Sequence, residues 1–178
     1  QQGGRRALLV SDLSYLGEES AGTLNLWPTG VDRTDPLVRA VFPDDGPAPV
    51  RPGAVKCALE SALLDAAIPF LYLARPVAVL SEGGRVAGAI LAMRTALGAV
   101  RCRAIVDATR FGVVARLAGV PLSPRAERPA ALAWTVLAQG VPVGWEGRAE
   151  PLHPPYRQVV TEEEATYPAY RLRIDRAS

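Results

Sequence analysis

Hydrophobic positions fall in short blocks whose spacing changes along the chain. Residues 7–10, Ala-Leu-Leu-Val, form an unbroken apolar run between Arg5-Arg6 and Ser11-Asp12. A run of that kind predicts a strand buried on both faces, as in a parallel sheet. From Gly17 to Pro52 the blocks dissolve into segments rich in Gly, Pro and Asp, which predicts a long surface loop. Loops of this length usually carry function or cover a site. At Gly53 the spacing becomes helical: Val55, Leu59 and Leu63 recur every fourth residue, with Ala58, Ala62 and Ala66 beside them. This predicts an amphipathic helix of about four turns, running to Ile68 and stopped by Pro69.

Phe70 to Leu73 reads as a second buried strand. Three strands follow with short connections: Val77 to Leu80, a turn at Ser81-Glu82-Gly83-Gly84, Val86 to Met93, a break near Ala96-Leu97-Gly98, and Val100 to Val106. The pattern predicts an antiparallel meander. Its last strand runs into Ala104-Ile105-Val106-Asp107-Ala108-Thr109, which reads as a buried strand with a polar carboxyl end, where open α/β sheets bind ligands. A helix from Gly112 to Ala118 comes next, with Gly119 placed as its C-terminal cap. Beyond Pro121 the sequence predicts a linker over residues 123–129, a strand over 130–138 and a polar, proline-rich tail. Thr161 and Glu164 have capping-box spacing there, with room for little more than one turn before Pro168.

Composition narrows the function classes. The 178 residues are 49% hydrophobic and 21% charged, with 20 Lys and Arg against 18 Asp and Glu. This excludes a disordered or collagen-like chain and gives enough length for a core without disulfides or a structural metal. The basic residues are scattered and not interleaved with aromatics, which gives no support for nucleic-acid binding. No apolar run approaches the roughly 20 residues of a membrane span. Cys57 and Cys102 stand far apart with no C-x-x-C pair, and read as buried structural thiols. His153, the single histidine, lies among prolines and reads as a surface residue; no hydrolase triad is legible. The expectation is a soluble chain, cytoplasmic rather than secreted, starting at a cut before Gln1.

Three segments carry a resemblance: RRALLVSDLSYLGEESAG (residues 5–22), VKCALESALLDAAIPFLYLARPVAVLSEGGRVAGAIL (55–91) and RAIVDATRFGVVARLAGVPL (103–122). In this order they are similar to the flavin-binding domain of oxidoreductases with two dinucleotide-binding domains. More closely, they resemble the family called FAD-dependent oxidoreductase. The resemblance implies an α/β fold: a Rossmann-like FAD-binding domain with an antiparallel β-meander, truncated at the N-terminus. It places a partial dinucleotide-binding domain over residues 1–122, and the start of a substrate-side domain, or an irregular tail, over 123–178.

The resemblance also implies FAD as cofactor, a small-molecule substrate, and a partner segment or chain that supplies the missing Rossmann strand. The strand-end position that receives the adenosine ribose hydroxyls falls at Ser11, with Asp12 one residue further on. Leu16-Gly17 occupies a turn near the flavin, the backbone at Val77 faces adenine, and Asp107-Ala108-Thr109 passes the phosphate and ribose region. The fingerprint G-x-G-x-x-G, which supplies the main anion site of such domains, is missing before the first strand, and Gly3-Gly4 does not replace it. Glu18 and Arg110 stand where the family typically has glycine. Arg110 has two readings, a guanidinium paired with pyrophosphate or a side chain filling cofactor space.

Plainer roles stand beside these. Asp12 fits a solvated strand-end carboxylate, Asp107 and Thr109 fit helix caps, and Trp27, Trp134 and Trp145 fit packing aromatics. Three functions follow: a flavoenzyme with bound FAD, a scaffold or interaction module that has lost FAD, and a nicotinamide-dependent dehydrogenase. The meander argues against the last.

Overall fold

The computed structural model describes residues 6–44, 46–123, 131–138, 144, 147–160 and 163–175. The expected linker beyond residue 123, Gly3-Gly4, Trp145 and Thr161 lie outside that description; Glu164, the other half of the expected capping box, lies in a strand and not in a helical turn. The chain forms two compact units, Gln1–Tyr15 with Ala67–Glu127, and Leu16–Ala66 with Arg128–Ser178. This division differs from a single cut after residue 122, because residues 16–66 group with the C-terminal part.

In the first unit, strand β1 (Leu9–Val10) pairs in parallel with β2 (Phe70–Leu71), Leu9 opposite Phe70 and Val10 opposite Leu71. Strands β3 (Arg75–Glu82), β4 (Arg85–Ala92) and β5 (Leu97–Arg101) form the antiparallel meander, with β4 in the middle. Glu82 pairs with Arg85 across Gly83 and Gly84, whose φ values of 56° and 74° give the two-residue hairpin its required twist. Gly88 admits β5 closely: a Cβ there would run into the Val100 carbonyl oxygen. Among the described residues of this unit, Ala74, Ala89 and Leu91 are the buried hydrophobic ones. Helix α3 (Val113–Leu117) packs against β3. It ends in paired bonds: Gly119 N–H donates to the Arg116 carbonyl at 3.0 Å and Val120 N–H to that of Ala115 at 2.9 Å, with Gly119 at φ 71°.

Residues 104–108 correct one expectation. No strand forms there, and Val106 is 91% exposed. The ladder from β4 stops just past β5, where Cys102 N–H donates to the Ala87 carbonyl, and among the described residues no strand takes up the stretch that follows.

The second unit opens with Gly17 at φ 80°, leading into a π-helical turn (Glu18–Gly22). Helix α1 (Pro36–Val41) and helix α2 (Pro52–Asp65) follow. Helix α1 corrects the expectation of a continuous loop from Gly17 to Pro52. Asp35 accepts hydrogen bonds from Leu37 N–H at 2.7 Å and Val38 N–H at 3.3 Å, and Pro36 sits where a missing donor costs nothing. Leu26, Trp27 and Val41 from this stretch are buried.

Helix α2 stops at Asp65, before the expected Ile68, because Ala67 has turned into left-handed backbone at φ 50°. Its buried residue is Val55. Cys57, two residues on and so across the helix, is exposed, and Cys102 is half-buried; neither is the buried thiol the sequence suggested.

The C-terminal part is a three-stranded antiparallel sheet in the order β6 (Ala131–Leu137), β8 (Glu163–Asp175), β7 (Ala149–Val160). Strands therefore replace the irregular tail. Its prolines are accommodated by position. Pro154 and Pro155 fall in the register shift between Leu152 and Tyr156 on the edge strand β7, and Pro168 lies opposite that shift in β8. Leu26, Trp27, Tyr156 and Ala169 form the core of this unit, with Leu24, Val50, Leu137, Leu152 and Tyr167 packed around them. Trp27 Nε1–H donates to the Pro154 carbonyl at 2.9 Å.

Candidate functional site

Strand β1 delivers Ser11 and Asp12 at its carboxyl end, and the backbone around Ser11 is tied on both sides. Its N–H donates to the Leu71 carbonyl at 2.8 Å, and its carbonyl accepts Ala74 N–H at 3.0 Å. Leu73 N–H adds a bond to the Leu13 carbonyl at 3.1 Å. The Ser11 hydroxyl accepts Leu13 N–H at 3.2 Å and so shapes the turn that follows. Asp12 is exposed, and one carboxylate oxygen lies 3.6 Å from an Arg75 guanidinium nitrogen. Sequence reasoning passed over Arg75; its one signal is a cation opening the strand that follows Phe70–Leu73.

The bond between Ala74 and Ser11 places the start of β3 beside the end of β1. Val77 lies three residues further, about 10 Å along an extended strand. It is a special position in that strand: Pro76 pairs with Leu91 and Ala78 with Ile90, which leaves Val77 as the extra residue of a bulge. Bulges re-aim a residue and release its backbone from the regular ladder. β3 is also an edge strand, and Val77 is 42% exposed. Ser11, Asp12 and Val77 are thus brought to one end of β1 and the edge of β3.

Asp107, Ala108, Thr109 and Arg110 lie in the same unit, in the turn before α3. Asp107 Oδ1 accepts Thr109 N–H at 3.0 Å and the Thr109 hydroxyl at 2.7 Å, and its Oδ2 accepts Ala115 N–H at 2.9 Å. The Thr109 hydroxyl oxygen in turn accepts Val113 N–H at 2.8 Å. The two side chains cap α3. Partial burial pushes the Asp107 carboxyl up, but hydrogen bonds from the Thr109 hydroxyl and the amides of Ala115, Thr109 and Val114 outweigh it and hold the group below its ordinary range. Ala108 and Arg110 are exposed on that turn.

Leu16 and Gly17 belong to the second unit. A Cβ on Gly17 would lie 2.8 Å from Val55 Cγ1 and 3.0 Å from Leu59 Cδ1. The glycine therefore lets the turn lie against α2, in addition to supplying a left-handed φ. Glu18 begins the π-helical turn.

A family model described as FAD dependent oxidoreductase matches residues 5–145. The chain belongs to that family. Membership makes FAD the cofactor and oxidoreduction the activity at family level. No curated protein and no solved structure matches the chain. Among the described residues of this family member, no helix is long and apolar enough to cross a membrane. No group of three or more His, Cys, Asp or Glu among them could hold a metal ion.

The donor set of the first unit suits part of the cofactor. An exposed carboxylate at a strand end can accept two ribose hydroxyls, and main chain at a bulge can pair with the edge of a base. The carboxylate of Asp107 and the hydroxyl of Thr109 are engaged in capping, so the polar groups that the turn presents outward come from its other atoms.

Proposed function

We propose that the first unit is a Rossmann-like element that holds the adenosine end of FAD. In this reading the chain is the flavin-holding part of an oxidoreductase acting on a small molecule. The observation that carries it is the backbone bond from Ala74 to Ser11, which brings Asp12, just past β1, beside the start of the strand that carries the Val77 bulge. Asp12 would accept the ribose hydroxyls, with Arg75 beside it to orient the carboxylate. The Val77 main chain would read the adenine edge, which needs an amide and a carbonyl and no particular side chain. Asp107 and Thr109 act as positioning residues: they fix the turn that carries Ala108 and Arg110 past the phosphates. Bound FAD supplies hydride and electron transfer.

Leu16 and Gly17 are assigned to the flavin-side turn, and the β6-β8-β7 sheet to the start of the substrate side. An additional strand from another segment or chain pairs with the first unit; the 104–108 stretch, which forms no strand and exposes Ala104, Val106 and Ala108, supports it.

A second reading is a scaffold that no longer holds FAD. It draws on the engagement of Asp107 and Thr109 in capping and on Glu18 at a family glycine position. An absorbance spectrum of the whole chain after incubation with FAD and gel filtration separates the two. Flavin bands co-eluting with protein support the cofactor reading, and a colourless protein overturns it in favour of the scaffold.

A further inference from the structure

We infer that the second unit carries a separate binding site for a small organic carboxylate with an apolar body, in the cavity at the N-terminus of α2. The cavity holds about 450 Å3, within the range of small-molecule sites. Arg51 is the N-cap residue of this 14-residue helix, and no side chain caps the helix there. The Arg51 guanidinium makes no ion pair or hydrogen bond among the described residues. Pro52 has no N–H, so the unspent donors of the first turn are those of Gly53 and Ala54. Both residues line the cavity, and the space beside Gly53 is open: a Cβ there would meet nothing within 4 Å.

A second, independent observation points to a ligand. Tyr156 is 7% exposed, belongs to the core of this unit, and lines the same cavity. Its hydroxyl makes no hydrogen bond among the described residues and is not one of their sealed polar atoms, so it is accessible on a residue that lines the cavity. A tyrosine this deep ordinarily has a partner for its hydroxyl. A ligand oxygen would supply one.

The lining sets the class of ligand. Leu24 and Leu137 give the cavity an apolar wall. Among the described residues no carboxylate lines it, and Gln158 adds an exposed amide. One guanidinium charge and the roughly half charge of a helix N-terminus balance a monoanion; a phosphate dianion would be left with a second, poorly compensated charge. The planar fork of arginine fits a carboxylate in a bidentate manner. The ligand thus has a carboxylate against Arg51 and the α2 amides, and an aliphatic or aromatic body against the leucines. The site lies wholly in the second unit and does not rest on the adenosine reading of the first.

The test is calorimetric titration of the whole chain with phenylacetate, with 2-phenylethanol as the neutral isostere and inorganic phosphate as the anion without a body. Saturable binding of phenylacetate is expected, at least about tenfold tighter than that of either control. Arg51→Gln, an exposed position whose loss leaves the fold intact, should weaken it about tenfold. Tyr156→Phe, which keeps the ring in the core, should weaken it roughly fivefold. Gly53→Leu should abolish binding while the circular dichroism melt stays in place. Equal affinity for the alcohol overturns the carboxylate assignment, and equal affinity for phosphate overturns the apolar body. No saturable binding, or binding unchanged in both Arg51→Gln and Gly53→Leu, overturns the site.

Discussion

Asp107 Oδ2 accepts the backbone N–H of Ala115, eight residues further on, at 2.9 Å. The bond spans the whole turn between the meander and α3, and Oδ1 of the same carboxylate holds Thr109. Replacement by Ala leaves several first-turn donors unserved, and should cost about 1–2 kcal/mol in urea unfolding. The folded carboxyl titrates below its ordinary value, so the unfolded state binds the proton more readily. The stabilisation is present above the unfolded pKa of 3.8 and disappears as pH falls through the lower folded value. Urea midpoints of wild type and Asp107→Ala should differ at pH 6 and converge toward pH 2. A constant difference across that range would show that packing, not the ionised carboxylate, is what the substitution removes.

Gly88 faces the β5 backbone so closely that a Cβ would meet the Val100 carbonyl oxygen. Backbone on that side cannot swing away as a side-chain end can. Gly88→Ala should therefore destabilise the first unit by about 2–4 kcal/mol, at the high end for a single methyl. Hydrogen exchange at the β4 and β5 amides is the direct readout, and protection equal to wild type would contradict the close approach.

At Gly17 two costs combine, a left-handed φ of 80° and contacts at 2.8 Å and 3.0 Å with Val55 and Leu59. Gly17→Ala should lower stability by about 1–3 kcal/mol. Gly17→Ala with Val55→Ala should recover part of the steric share and none of the backbone share, so a thermal-melt double-mutant cycle separates the two.

The meander was legible because its strands are joined by short glycine-bearing turns, so periodicity and turn chemistry agree on one register. Helix α2 was legible for the same reason, with Val55, Leu59 and Leu63 on one face. Helix α1 was hidden by its composition. Prolines dominate that stretch, yet Asp35-Pro36 is itself a helix start, and reading Pro only as a breaker loses it. The proline-rich C-terminal strands were hidden in a related way, since Pro154, Pro155 and Pro168 fall where the β7–β8 register shifts. Residues 104–108 failed in the opposite direction: an apolar run reads as a buried strand whether or not a neighbour pairs with it. At the candidate site, Asp12 and Val77 were placed by resemblance. The Asp12–Arg75 pair and the Val77 bulge depend on contacts between strands distant in sequence, which no local pattern encodes.

The Asp12–Arg75 pair yields the prediction closest to function. At 3.6 Å between two exposed side chains, the ion pair contributes little to stability, about 0–1 kcal/mol. Asp12→Asn should leave the thermal melt within about 2 °C of wild type, since surface changes of this kind stay small. In the adenosine reading the same substitution removes a charged acceptor from the ribose hydroxyls, and FAD affinity should fall about tenfold. Arg75→Gln removes no acceptor and should weaken FAD by a smaller factor, while Val77→Ala keeps the main-chain donors and acceptors and should bind FAD much as wild type does. Fluorescence titration with FAD gives all three affinities on one scale. If Asp12→Asn binds as tightly as wild type, the ribose contact is not made by Asp12. If Val77→Ala loses FAD with its fold intact, the adenine is held by the side chain, and the role assigned to the bulge is wrong.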